Sequence, residues 1–188
     1  MFVLPLLAKA ARSGAPNIWQ CKIRELAPRT DNWVLVLKIG VISDTHALLR
    51  PEALEALRGS ERIIHAGDVG DPEILDHLAT IAPVTAVRGN IDKGAWARKL
   101  PQTDVLEVGG ISIYVLHNIE ELDLKPEAAG FAAVIYGHSH VPRQEMRNGV
   151  LYFNPGSAGP RRFKLPVTVG WLTVGSGKVR AKTTVIAE

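Results

Sequence analysis

The chain has 188 residues, 46% of them hydrophobic and 22% charged, with a formal net charge of +3. That length suits one globular domain burying roughly 70% of its extended-chain surface, and no stretch approaches the ~18 consecutive apolar residues of a membrane span. The single cysteine, Cys21, excludes an internal disulfide and a thiolate metal cluster, which leaves the cytoplasm as the expected compartment.

The positive charge is not a nucleic-acid signal. Residues 1–37 hold five basic and two acidic side chains, a net of +3, whereas residues 38–188 hold 17 of each. The first segment has no period and reads as an N-terminal extension, loosely ordered or lying upstream of the true translation start. Its apolar run Met1–Ala8 lacks the basic lead of a secretory signal. Residues 38–188 read as the folded domain.

From Lys38 the pattern is regular. Lys38–Ser43 is an apolar run with a polar end, a buried strand. Pro51–Arg58 is a short helix with proline in its first turn. Arg62–His65 is a strand, Glu73–Ala79 a helix capped by Asp71, and Val84–Val87 a third strand. This order predicts parallel pairing. The second half predicts hairpins: Val105–Val108 with Ile111–Leu116 around Gly109-Gly110, Gln144–Arg147 with Val150–Phe153 around Asn148-Gly149, and Val167–Val174 with Lys178–Ile186 around Gly175-Ser176-Gly177. Ala132–Tyr136 is a further buried strand. Two mixed sheets packed face to face, with helices outside, accommodate all of these.

Each polar cluster follows an apolar strand, where open α/β sheets bind ligands. Asp44-Thr45-His46 follows the first strand, Asp68 the second and Asn90-Ile91-Asp92 the third. His117 follows Ile111–Leu116, and His138-Ser139-His140 follows Ala132–Tyr136. Extended backbone points residues i and i+2 the same way, so Asp44 with His46, and His138 with His140, are each expected to converge. Imidazole, carboxylate and one amide oxygen suit Mn, Fe, Zn, Co or Ni. Seven donors are too many for one ion, and two ions sharing a carboxylate is the economical reading. His65 is expected in the core and His77 on the surface.

Asp-x-His, Gly-Asp, Gly-Asn, His and Gly-His-x-His, in that order, resemble the calcineurin-like metallophosphoesterase superfamily. Ile42–His46, His65–Asp68, Gly89–Asp92, Gly137–His140 and Asn154–Ser157 are most similar to its small YfcE-like phosphodiesterase branch. The resemblance covers about residues 38–186. It implies a four-layer α/β/β/α sandwich. It implies one ion on Asp44, His46, Asp68 and His140, and a second on Asp68, Asn90, His117 and His138, with Asp68, Asn90 and His138 catalytic. The implied activity is a dinuclear phosphodiesterase, Mn²⁺ being the expected metal, in which a bridging hydroxide attacks a small phosphate ester. Two divalent ions, two aspartates and that hydroxide leave a charge of about +1, which favours an anionic substrate. Nucleotide-derived esters are candidates, as is a homo-oligomeric state. Asp92 and Arg161 are expected to support the ligands or touch substrate.

One departure matters. Many members carry histidine after the Gly-Asn, where this chain has Ile91. A missing general acid is worth 10²–10⁴ in rate, so phenolic diesters are expected to react better than alkyl monoesters. The alternative is a non-catalytic interaction scaffold of the Vps29 type on the same fold. The presence of competent ligands at all seven positions favours the enzyme.

Overall fold

The first strand shows how the layers arise. In the computed structural model, which describes residues 36–187, β1 (Leu37–Ile42) buries its last four residues. Ile39 and Val41 face one core and Ile42 another. A strand covered on both faces belongs inside a sandwich. The readings made for residues 1–35 lie outside the described residues.

β1 pairs in parallel with β2 (Arg62–His65), which pairs in parallel with β3 (Val84–Ala86). Two short helices, α1 (Pro51–Ala56) and α2 (Pro72–Ala79), form the crossovers. In α2 the Asp71 side chain accepts from Glu73 N at 2.9 Å, Pro72 takes the first turn, and Ile74 and Leu78, four apart, are buried. Full burial of each such side chain stabilises by about 1.5–3 kcal/mol. The helix α3 (Gly94–Ala97) is too short to show a period, and the sequence reading passed over it.

The rest of the chain makes β4 (Thr103–Val108), β5 (Ile111–Leu116), β6 (Phe131–Ile135), β7 (Arg143–Arg147), β8 (Val150–Asn154), β9 (Val167–Gly175) and β10 (Lys178–Ala187). The two sheets run β10-β9-β1-β2-β3 and β4-β5-β6-β8-β7. β5, β6 and β8 are parallel, and the edge strands β4 and β7 are antiparallel to their neighbours. The three hairpins form as expected. The β7–β8 turn has positive φ at both Asn148 and Gly149, the geometry that matches strand twist.

Ile39, Val41, Ile64, Ile113, Val115, Ile135, Leu151, Phe153 and Leu172 fill the space between the sheets. α1 and α2 cover the outer face of the first sheet through Ala53, Leu57, Ile74 and Leu78. The outer face of the second sheet carries Tyr114, Leu116, Val134, Tyr136 and Tyr152, and Ile119, Leu122 and Leu124 pack on it. The fold is thus the expected sandwich of two mixed sheets with a thin fourth layer. Among the described residues that layer holds a single 3-10 turn, Ile119–Glu121, with Asn118 capping it.

Candidate metal centre

All seven proposed donors follow the carboxyl ends of parallel strands, but not in the way strand alternation suggests. Asp44 (φ 54°), His46 (48°), Asp68 (53°), His138 (69°) and His140 (60°) all have left-handed backbone. Such residues cost of order 1–3 kcal/mol each and persist where surrounding bonds over-determine them. Here Asp44 N donates to Gly67 O (3.0 Å), His46 N to Asp68 O (3.0 Å) and Ala47 N to Val69 O (2.9 Å), which knits the turn after β1 to the turn after β2. The expected convergence of Asp44 with His46 is met, by kinked rather than extended backbone, and that of His138 with His140 is corrected. Left-handed turns at Asp44 and His46 bring those two together, and left-handed turns at His138 and His140 send that pair to different places.

His140 joins a first group. Its Nε2 lies 3.2 Å from His46 Nε2 and 3.3 Å from Asp44 Oδ1. His46 Nε2 lies 3.7 Å from Asp68 Oδ2. His138 joins a second group: its Nδ1 is 3.1 Å from Asn90 Oδ1 and 3.3 Å from His117 Nε2. His117 Nε2 is 3.1 Å from Asn90 Oδ1 and 3.3 Å from Asp68 Oδ1. Donors 2.0–2.2 Å from one ion stand roughly 2.8–3.6 Å from each other at octahedral or tetrahedral angles. Both groups are close to that spacing, and Asp68 offers one carboxylate oxygen to each.

The polar environment fits a cation. Ser43 Oγ donates to Asp44 Oδ2 at 2.7 Å and His138 N donates to it at 3.1 Å. Asp44 Oδ1, turned toward the first group, is buried with no partner. A buried unpaired acceptor costs about 1–3 kcal/mol, which a bound cation would relieve. Burial pushes the Asp44 carboxyl up to about 6. Burial, reinforced by the Arg162 charge, pushes His140 down to about 4, and burial also lowers His46. Both rings are neutral at pH 7, as ligation requires. Burial alone would raise Asp68, but bonds from His117 and Ile91 N hold it below the usual carboxylate range. His117 donates through Nδ1 to Ala66 O at 2.8 Å, which turns Nε2 toward the second group.

The residues that support the donors lie within the same motifs, Asp92 among them as expected. Gly89 and Gly137 are required by close approach: a Cβ at Gly89 would lie 2.0 Å from Asp68 Oδ1, and one at Gly137 would lie 2.0 Å from Ser43 Oγ. Asp92 is turned inward, accepting from Val69 N (3.2 Å), Gly70 N (2.7 Å) and Gly89 N (2.8 Å). It clamps the turn bearing Asp68 to the turn bearing Asn90. Asn154 Nδ2 donates to Gly137 O at 2.7 Å, and Ser157 Oγ donates to Asp44 O at 2.9 Å. The Asn154–Ser157 motif, which begins on the last residue of β8, was the signal for these two.

The arginine near the donors is not the one expected. Arg161 Nε bonds Leu165 O at 3.3 Å within its own loop, and Arg162 Nη2 comes within 3.3 Å of His46 Nε2. His65 is fully buried and bonds Thr45 Oγ1 at 2.9 Å, outside both groups. Ile91 lies 37% exposed beside Asn90. A cavity of about 280 Å³, lined by Arg88, Asn90, Gln102, His117 and His138, opens on the second group.

An α/β sandwich with two adjoining His/Asp groups at one end of its parallel strands has the architecture and donor chemistry of a metal-binding site. Residues 37–177 match the model of the calcineurin-like phosphoesterase superfamily domain, and the chain belongs to that superfamily. It is 39% identical over 132 residues to a probable metallophosphoesterase of Methanocaldococcus jannaschii, covering 63% of this chain and 67% of that protein. It is 26% identical over 139 residues to a phosphodiesterase of the same organism, covering 64% of this chain and 83% of that protein. Among solved structures, an archaeal phosphodiesterase superposes with a TM-score of 0.65 at 24% identity, covering 79% of this chain and 100% of that one. Vps29 of Cryptosporidium parvum superposes with a TM-score of 0.64 at 18% identity, covering 81% and 99%. At those identities both structures speak for the fold alone. Family and donor chemistry together make this a metal-dependent phosphoesterase.

Proposed function

We propose that the protein is a two-metal phosphodiesterase. Asp44, His46, His140 and Asp68 would hold one divalent ion, and Asp68, Asn90, His117 and His138 the other. The observation that carries this reading is the division of Asp68. Its Oδ2 lies 3.7 Å from His46 Nε2 and its Oδ1 3.3 Å from His117 Nε2, so one carboxylate serves both donor sets. Divalent ions held by these residues, Mn²⁺ being the expected metal, would supply a water of lowered pKa and stabilise charge on the phosphoryl group.

The chain's own part is binding and orientation. Asp44, Asp68, His117 and His140 are buried, whereas Asn90 and His138 are exposed, so the ester approaches from the side of Asn90 and His138. Asn90 Oδ1 faces His117 and His138, which leaves its Nδ2 to donate to a phosphoryl oxygen. Ile91 offers no proton, and the Asp92 carboxylate is already taken by three N–H groups. The leaving group therefore departs without a protonating side chain on that turn, which favours phenolic esters. The relative named as a phosphodiesterase supports diester specificity, and the single cysteine supports a cytoplasmic setting. A Vps29-type scaffold has less support, because nothing in that role calls for an unpartnered Asp44 Oδ1 aimed at two imidazoles.

The test is metal removal. Hydrolysis of bis(4-nitrophenyl) phosphate should fall to background in chelator and return with Mn²⁺, with calorimetry giving two ions per chain. Full activity in excess chelator, or one ion per chain, refutes the reading.

A further inference from the structure

The loop after Ser157 carries residues that the metal centre does not use. Its root is fixed on the turn bearing Asp44 and His46. Ala158 N donates to Ser43 O (3.0 Å), Arg50 Nε donates to Gly159 O (3.3 Å), and a Cβ at Gly159 would lie 2.4 Å from Thr45 O. Beyond the root the loop closes on itself. Leu165 N donates to Arg162 O (3.1 Å) and Arg161 Nε to Leu165 O (3.3 Å).

This tight turn does two things. It directs Arg162 back to the donors, with Nη2 3.3 Å from His46 Nε2. It also holds Phe163 outward, 96% exposed, with φ at 53°. Left-handed backbone is uncommon outside glycine, asparagine and aspartate, and is a marked outlier for a bulky side chain. A phenylalanine so exposed gains nothing from burial in this chain. Residues 156–166 include Arg161, Arg162 and Lys164 and no acidic residue, so the loop favours an anion.

The chemistry of Arg162 changes with the state of His46. The guanidinium can only donate, so it meets the lone pair of His46 Nε2, and a metal ion held by His46 would take the same lone pair. The freed N–H groups then need another acceptor at the same spot, and phosphoryl oxygens match a guanidinium in charge and geometry. Phe163 is one Cα step, about 3.8 Å, further along. A cation for the phosphate, next in sequence to an exposed aromatic ring, is a combination suited to phosphate esters of planar bases.

We propose that Arg162 and Phe163 form the specificity element of the site: Arg162 binds the phosphoryl group, and Phe163 stacks on the base of a nucleoside esterified to it. The preferred substrate class is a nucleotide phosphodiester. This rests on the phosphodiesterase reading and adds which ester is preferred.

The test uses the full chain loaded with Mn²⁺ and two esters with the same leaving group, thymidine 5′-(4-nitrophenyl phosphate) and methyl 4-nitrophenyl phosphate. Stacking on one base changes affinity by about 5- to 150-fold. Wild type should therefore show a KM at least about fivefold lower for the thymidine ester. Phe163→Ala should erase that preference, Phe163→Trp should keep it, and Arg162→Ala should raise KM for both esters. Calorimetry supplies a readout without turnover: the ratio of thymidine 5′-monophosphate affinity to inorganic phosphate affinity should fall by the same factor in Phe163→Ala. A preference absent in wild type, or unchanged in Phe163→Ala, overturns the proposal. So does a Phe163→Ala protein that keeps the preference and changes only its oligomeric state, which would assign Phe163 to a contact between copies. If wild type hydrolyses neither ester, the phosphodiesterase reading has failed, and the affinity ratio still decides whether Phe163 stacks.

Discussion

Replacing Gly89 with alanine tests whether Asp68 must stand where it does. A Cβ at Gly89 would fall 2.0 Å from Asp68 Oδ1, 2.1 Å from Asp68 N and 2.8 Å from Asp68 Cα. Relief to ordinary contact needs a movement of about 1 Å or more between the two turns. Neither side yields easily. Asp68 O accepts from His46 N at 3.0 Å, Asp68 Oδ1 accepts from Ile91 N at 3.0 Å, and Gly89 N is held by Asp92 at 2.8 Å. Gly89 does not have positive φ, so alanine meets no backbone penalty and the effect is steric. Overpacking of this kind costs typically 1–3 kcal/mol, and contact with backbone puts Gly89→Ala near the upper end, about 3 kcal/mol. A 1 Å displacement at a reacting centre costs on the order of 10²-fold in rate. Urea unfolding of metal-free protein should show the stability loss. Calorimetry should show one Mn²⁺ in place of two, because Asp68 Oδ1 and Asn90 both adjoin the altered residue. Two ions at wild-type affinity, with bis(4-nitrophenyl) phosphate activity within twofold of wild type, would refute the argument.

Removing the Asp92 carboxylate as Asp92→Ala strands three backbone N–H groups, for a loss of about 4 kcal/mol in urea unfolding; a loss below 0.5 kcal/mol would show that water replaces the clamp. His65 predicts a pH dependence. Burial pushes its ring down to about 3, so the folded protein stays neutral there while the unfolded chain takes up a proton below about 6.5. Its contribution is fully present above pH 6.5 and is lost as pH falls toward 3, at about 1.4 kcal/mol per unit. In chelator, His65→Gln should narrow the stability difference between pH 7 and pH 4.5 by about 2–3 kcal/mol; an unchanged difference would contradict the burial argument. Introducing an acid as Ile91→His should raise alkyl monoester hydrolysis by at least about tenfold, and an unaltered monoester rate would count against the missing proton donor.

Much of the architecture was written in local pattern. The buried run of β1, the Asp71 cap and the Asn148-Gly149 turn each depend on neighbours a few residues away, and each formed as read. The candidate donor residues were also legible, because polar groups after apolar strands mark the ligand edge of such sheets. What the sequence by itself determined was the inventory of candidate donors: two carboxylates, four imidazoles and one amide oxygen, with no thiolate among them. The resemblance implied how those candidate donors divide, and the tertiary structure supplies the physical reason. His138 and His140 are two residues apart, yet one meets Asn90 and the other meets His46, 94 positions away. The division follows from left-handed turns held by hydrogen bonds between loops, and from glycines that leave room for Asp44 and Asp68. Likewise Arg162, rather than Arg161, reaches His46 because Arg161 is spent on its own loop. Such choices arise from contacts between distant segments, which local periodicity does not carry.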